Sequence, residues 1–181
     1  MNHLESLEPD FKNKVIIVLE KCQQLGIEMV PYFGIRDPFI QAELWRQSRS
    51  TSEINAKIKF LEKKGAPFLA HCISSIGPKH GKWVTNAIPG LSWHQWGKAV
   101  DCYWRINRRA EWSPEYFNSK GLNGYMVYAA CAKKEGLTAG GFWKNFKDWP
   151  HVQESSANNP LKTYSYQEID EIMESKFNPN S

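Results

Sequence analysis

Apolar residues recur along the chain with two different periods, and the changes of period mark its elements. Between residues 8 and 25, Phe11, Val15, Ile16, Val18, Leu19 and Cys22 return at helical spacing, and Gly26 supplies a stop. Glu28 to Ile35 reads as a strand rich in Val, Tyr, Phe and Ile, which Pro31 confines to a sheet edge or a bulge. Pro38 opens a second helix over 38–48, and Ser52 with Glu53 opens a third over 52–64, closed by Gly65. A short apolar segment follows at 67–76, then a loop from Gly77 to Gly90 with two prolines and three glycines. From Lys98 to Trp104 the period falls to two: Val100, Cys102 and Trp104 point one way, Ala99, Asp101 and Tyr103 the other. Leu122 to Glu135 is helical again and ends at Gly136, and Phe142 to Gln153 is an aromatic strand-and-turn region interrupted by Pro150. Residues 155–181 form a polar tail with one helix at 166–176 and an Asn/Pro end. With no repeat and no long linker, the pattern predicts a single domain over 1–181. Its class is α+β, helices packed against a small, mainly antiparallel sheet.

Composition narrows the field without choosing a function. The 181 residues are 41% hydrophobic and 23% charged, values of a globular chain that can bury its own core. No apolar run is long enough to span a membrane. The first residues lack a basic stretch followed by an apolar one, so the chain is expected to carry no secretory signal and to be cytoplasmic as synthesised. The net charge of +4 comes from scattered Lys and Arg, which suits weak attraction to an anionic surface such as a cell wall. It forms no basic stripe, and nucleic acid is not an expected partner. Cys22, Cys72, Cys102 and Cys131 are widely spaced without a CxxC pair, and are read as small core hydrophobes rather than a thiolate site or a disulfide framework.

Two strings carry the candidate chemistry. In Ser92-Trp93-His94-Gln95-Trp96-Gly97-Lys98-Ala99-Val100-Asp101, an imidazole precedes a turn at Gly97 and a carboxylate sits in the strand beyond it. Asp101 lies among apolar neighbours and needs a positive partner, of which a metal ion is one kind. In Asp148-Trp149-Pro150-His151-Val152-Gln153, Pro150 excludes a regular helix, so the second imidazole and its nearby carboxylate sit on a bent backbone. Two His, one carboxylate and an open fourth position match a catalytic zinc site, and the remaining carboxylate can move a proton. Spacing alone equally allows His94 and His151 to be hydrogen-bonded core histidines.

The string Ser-x-His-x-x-Gly-x-Ala-x-Asp, here Ser92, His94, Gly97, Ala99 and Asp101, resembles the signature of the zinc D-Ala-D-Ala carboxypeptidase and L-alanyl-D-glutamate endopeptidase family. Asp148, Pro150 and His151 match its later Asp-x-Pro-His string, and Gly34, Arg36, Gln41, Leu44, Trp45 and Arg49 match an upstream one. The matches cover roughly 30–153 in the family's order. That family includes phage endolysins and shares the Hedgehog/DD-peptidase fold. The resemblance implies one zinc per chain held by His94, Asp101 and His151, with Asp148 as the catalytic base. It implies that Arg36 stabilises charge on the scissile carbonyl or steadies substrate, for which a guanidinium fork is suited; an ion pair with Asp37 or Glu43 is the plain alternative. It places Gln41 at the substrate and Ser92 either there or holding the zinc loop, a plain loop-stabilising hydroxyl being the alternative, while the concentration of tryptophans around the strings offers Trp93, Trp96 and Trp149 as cleft walls, or simply as core. His71 and His80 are read as surface or loop residues.

Three departures stand out: the long connection 52–85, Gly140-Gly141-Phe142-Trp143 where the family often has Gly-Gly-Asp-Trp, and Gln153 where it often has Glu. The resulting expectation is a zinc peptidase of peptidoglycan stem peptides, of the L-Ala-D-Glu endopeptidase or D-Ala-D-Ala carboxypeptidase type, either a phage or prophage endolysin acting on the wall after release through a separate pore or a cytoplasmic D,D-dipeptidase. A non-catalytic zinc domain and a zinc-free carbohydrate or nucleic-acid binder are the alternatives from other classes.

Overall fold

Phe11, Val15, Val18 and Cys22 form the buried stripe of α1 (Pro9–Gln24), as the helical period predicts. This helix and α5 (Gly124–Lys134) pack on each other and on β1 (Glu28–Phe33). The sheet continues through β2 (Ala99–Ile106), β5 (His151–Gln153) and β4 (Thr138–Ala139), in the order β1-β2-β5-β4, while β3 (Arg109–Glu111) folds back on β2 as a hairpin. Every pairing is antiparallel, and the class is α+β. The edge position of β1 and its register shift between Pro31 and Phe33 are the two accommodations predicted for Pro31. Val100, Cys102 and Trp104 point into the core with Tyr125, Tyr128 and Ala129, each such large side chain contributing roughly 1.5–3 kcal/mol by burial. Gly124 makes room for the indole of Trp104, since a Cβ there would meet the ring at 2.2 Å.

The computed structural model describes residues 3–178, which gather into two compact units, each built from two stretches of chain. The elements above belong to the first, residues up to Ile35 with Trp96–Ser156. The second takes Arg36–Gln95 and the described residues from Ala157 onward. In it, α4 (Pro67–Ser74) packs on α2 (Pro38–Arg46), α3 (Thr51–Lys63) and α6 (Tyr166–Phe177). Leu61, Leu69, Ile73, Ile169 and Met173 are fully buried there.

Several expectations change. The third helix is capped by Ser50 rather than Ser52, because only Ser50 has Glu53 three positions on to complete a capping box. The hairpin to β3 and the two-residue β4 were not predicted from the sequence pattern. The stretch beyond 155 is no mere polar tail: Ile169 and Met173 of α6 are core, and Asp170 accepts hydrogen bonds from the N–H groups of Phe68 and Leu69. Those are first-turn donors of α4, whose own cap residue Ala66 has no side chain to offer. The extra connection 52–85 is thereby explained as α3 and α4, scaffold of the second unit. Residues 1–2 and the Asn/Pro end at 179–181 lie outside the described residues. The four cysteines are buried and free, and burial pushes the thiols of Cys22, Cys72 and Cys102 upward, so they remain protonated hydrophobes. No helix among the described residues is long and apolar enough to cross a membrane.

Candidate functional site

Asp101 and His151 are cross-strand partners on β2 and β5, so their side chains rise from one face of the sheet. Asp101 Oδ1 lies 3.0 Å from His151 Nδ1, and both residues are buried. The other ring nitrogen, Nε2, faces Gln153 Oε1 at 3.0 Å, and Gln153 in turn donates to the Ser155 carbonyl at 2.6 Å. Burial pulls the His151 imidazole down, yet the Asp101 hydrogen bond and charge, the charge of Asp148 and the Gln153 contact outweigh it and raise the pKa above its ordinary value. The indole of Trp143 flanks the imidazole, ring centroids 5.2 Å apart.

His94 is carried on the 3-10 turn Trp93–Trp96, which runs through Gly97 directly into β2. Gly97 adopts φ 70°, and its carbonyl accepts the Glu8 N–H at 2.9 Å. Seven positions of tightly turned chain therefore tether His94 to Asp101. One ligand atom from each of His94, Asp101 and His151 lies within 4.8 Å of the others, all three residues being buried. Two imidazoles and a carboxylate at such range can hold a divalent transition metal, and three protein ligands leave a position open for water or substrate. The two strings thus meet as expected.

Asp148 sits on the turn before β5. Its N–H donates to the Gly140 carbonyl at 3.1 Å, and its own carbonyl accepts from His151 N–H at 3.2 Å. A Cβ at Gly140 would meet the Asp148 carbonyl oxygen at 2.4 Å, and one at Gly141 would meet the Trp149 ring at the same distance. Gly140 and Gly141 are needed for this close approach, and Phe142-Trp143 in place of Asp-Trp leaves it intact. The half-buried Asp148 is near enough to act electrostatically on His151.

Arg36 donates its backbone N–H to the His94 carbonyl at 3.2 Å, and its Nη1 to Gln41 Oε1 at 3.0 Å. Gln41 is the first correction among the site residues. It is fully buried, so it cannot touch a substrate as the resemblance implied. Its Oε1 also accepts from Gln95 Nε2 at 3.1 Å, its Nε2 donates to the Ala87 carbonyl at 2.7 Å, and Gln95 Oε1 accepts the Ser92 N–H at 3.2 Å. Gln41 braces Arg36 and the turn that bears His94. Trp93 and Trp96 are also buried, Trp93 with an indole hydrogen bond to the Ala157 carbonyl, and Trp149 stays half-buried against the core. Ser92 is half-buried at the head of the turn. Arg49 stacks between Trp45 and Trp83, 4.2 and 3.8 Å from the ring centroids, and binds the Thr85 carbonyl, a structural role. His71 is exposed, its ring 5.9 Å from that of Phe39. The residues missed in the sequence are Gln153, whose signal was a departure from the family pattern, and Trp143, which matches the tryptophan of the family's Gly-Gly-Asp-Trp string.

Comparison with known proteins gives the family. A family profile described as D-alanyl-D-alanine carboxypeptidase matches residues 85–154, the stretch that carries His94, Asp101, Asp148 and His151. The peptidoglycan L-alanyl-D-glutamate endopeptidase CwlK of Bacillus subtilis (strain 168) is 36% identical over 149 residues, covering 81% of this chain and 72% of that protein. Two solved structures are more distantly similar. The Serratia marcescens L-Ala D-Glu endopeptidase ChiX has a TM-score of 0.46 at 16% identity, over 84% of each chain. The vancomycin resistance D,D-pentapeptidase VanY of a VanB-type cassette, in complex with Zn(II), has a TM-score of 0.45 at 16% identity, over 81% of this chain and 71% of that one. With its signature residues assembled and a relative at this identity over most of both chains, the protein belongs to the D-alanyl-D-alanine carboxypeptidase family of peptidases.

Proposed function

We propose that this chain is a zinc peptidase of bacterial peptidoglycan that cuts the L-Ala–D-Glu bond of the stem peptide. The observation that carries the reading is the buried His94–Asp101–His151 group, within 4.8 Å, in a chain 36% identical to an L-alanyl-D-glutamate endopeptidase. Zinc, when bound by these three residues, lowers the pKa of water and polarises a carbonyl. The chain's own groups do the rest. Asp148 takes the proton of the attacking water and passes it to the leaving amine. Arg36, braced by Gln41, offers N–H donors to the oxygen of the scissile carbonyl as negative charge gathers there. Gln153 keeps His151 in one orientation through Nε2, leaving Nδ1 toward Asp101.

Metal analysis of the purified protein and mass spectrometry of digested peptidoglycan test the reading together. One zinc per chain, lost in His94→Ala and His151→Ala, with fragments ending at L-Ala, is the expected result. Fragments shortened by a terminal D-Ala would instead make the chain a D-Ala-D-Ala carboxypeptidase, and full zinc content in both variants would remove the ligand assignment. The reading extends to a phage or prophage lysis enzyme that reaches the wall through a separate pore, to which the net charge of +4 is suited. Lysis of host cells only when a pore-forming protein is co-expressed is the expected outcome; equal lysis without it would refute that extension.

A further inference from the structure

The sheet face that carries the metal-ligating residues continues into an aromatic row. Asp101 and Tyr103 are two positions apart on β2, hence on the same face and about 6.8 Å apart along the strand. Val30 is the cross-strand partner of Tyr103, which brings Tyr32 of β1 to this face, and Trp112 follows β3 on the other side. The three rings touch: Tyr32 to Trp112 at 5.1 Å edge-on, Tyr103 to Trp112 at 5.6 Å, Tyr32 to Tyr103 at 6.2 Å. They are not core. Trp112 is 52% exposed and the two tyrosines are half-buried, whereas Trp104, on the opposite face, is 2% exposed. Arg105, next along the row, forms a two-point ion pair with Glu28, so the charge beside the rings is already neutralised within the protein.

Rings with polar tips, clustered, accessible and without net charge beside them, suit the C–H face of a neutral sugar better than an ionic ligand. Resting on the proposed peptidase reading, we propose that Tyr32, Tyr103 and Trp112 form a subsite for the N-acetylmuramic acid ring of the glycan strand. The spacing favours this occupant. In peptidoglycan the L-Ala residue is joined by its amine to the lactyl group of that sugar. The L-Ala–D-Glu bond is therefore one residue, about 3.5 Å of extended chain, plus a lactyl group from the ring. The D-Ala–D-Ala bond lies four residues away, about 14 Å, which overshoots a row that begins two positions from Asp101. The subsite thus also selects which bond reaches the metal.

Two measurements on the full metal-loaded chain test this. In the first, the uncharged N-acetylglucosaminyl-N-acetylmuramoyl-L-alanine amide is titrated against the protein by NMR. Shifts of the Trp112 indole N–H and of the Tyr32 and Tyr103 resonances are expected. No shift at millimolar sugar overturns the proposal, as do shifts that follow protein concentration alone, which would mark a self-association face. In the second, kcat/KM is compared for a muramoyl-linked stem peptide and the same peptide without sugar. The muramoyl substrate is expected to be favoured, with Trp112→Ala lowering that ratio roughly three- to tenfold. An unchanged ratio in Trp112→Ala overturns the subsite. Failure of the protein to cut either peptide would instead refute the peptidase reading, while the titration still decides on the sugar.

Discussion

His151 is held from two sides, and the two sides have different consequences. Asp101 shares with it the group of three that could hold a metal ion, whereas Gln153 contacts the ring only at the nitrogen that points away from Asp101. Gln153→Ala is therefore expected to keep the fold but weaken zinc binding about 10–100-fold, measured by competition with a chelator; unchanged affinity would show that the ring needs no such support. Asp148 stands outside the group of three, half-buried on its turn. Asp148→Ala should retain zinc and lose about 10²–10⁴-fold in turnover, measured on peptidoglycan with metal content in parallel. Loss of the metal instead would make Asp148 a ligand. Gln41 shows how chemistry at one residue depends on burial: an amide at the same place in the motif serves as brace because all its polar atoms are used inside.

Two features of single elements make predictions of their own. Glu28 and Arg105 are direct partners in the β1–β2 register, and their ion pair holds the Glu28 carboxyl below the usual carboxylate range, chiefly through the Arg105 hydrogen bond. A carboxyl with a lowered folded-state pKa stabilises above its unfolded pKa, about 4.3, and that support is lost as pH falls through the folded value. The stability gap between wild type and Glu28→Gln, followed by denaturant unfolding, should thus be present at neutral pH and close in acid; a gap independent of pH would assign it to packing. The β2–β3 turn holds Asn107 at φ 49° and Arg108 at φ 64°. A left-handed conformation costs a non-glycine residue about 1–2 kcal/mol, so Arg108→Gly is expected to raise the melting temperature despite its greater unfolded-state entropy. A fall would show that the Arg108 side chain contributes more than its strain removes. The hairpin escaped sequence reading for the same reason: Asn-Arg lacks the glycine that usually announces such a turn.

On the scale of the whole molecule, closure of the second unit depends on residues a hundred positions apart. Asp170 reaches Phe68 and Leu69 across sequence separations of 102 and 101. Burial, the larger influence, raises its pKa, and the two backbone N–H groups oppose that. Asp170→Ala leaves those donors without their acceptor, and the expected loss is about 0.5–2 kcal/mol, the range for a helix cap. At this chain length that is about 2–4 °C in melting temperature for each kcal/mol, readable by calorimetry. An unaltered melting temperature would show that α4 needs no cap from α6.

Local order was legible in the sequence where a single period or a short string sufficed. The stripe of α1, the edge position of Pro31, the alternation of β2 and the ligand strings all depend on neighbours within a few residues, and each appears where its pattern placed it. What depended on distant partners was not legible. Gln41 reads as a substrate residue and Trp93 as either a cleft wall or core until packing buries both, and α6 reads as a helix in a polar tail until Ile169 and Met173 meet the core. The alternation of β2 assigned Tyr103 to the face of Asp101, but pairing with β1 and β3 brought Tyr32 and Trp112 beside it. The sequence determined which residues could bind a metal, because ligand chemistry and backbone period are local properties. Only the tertiary structure decided which polar groups were left to meet a substrate, because burial is set by whatever the rest of the chain lays against them.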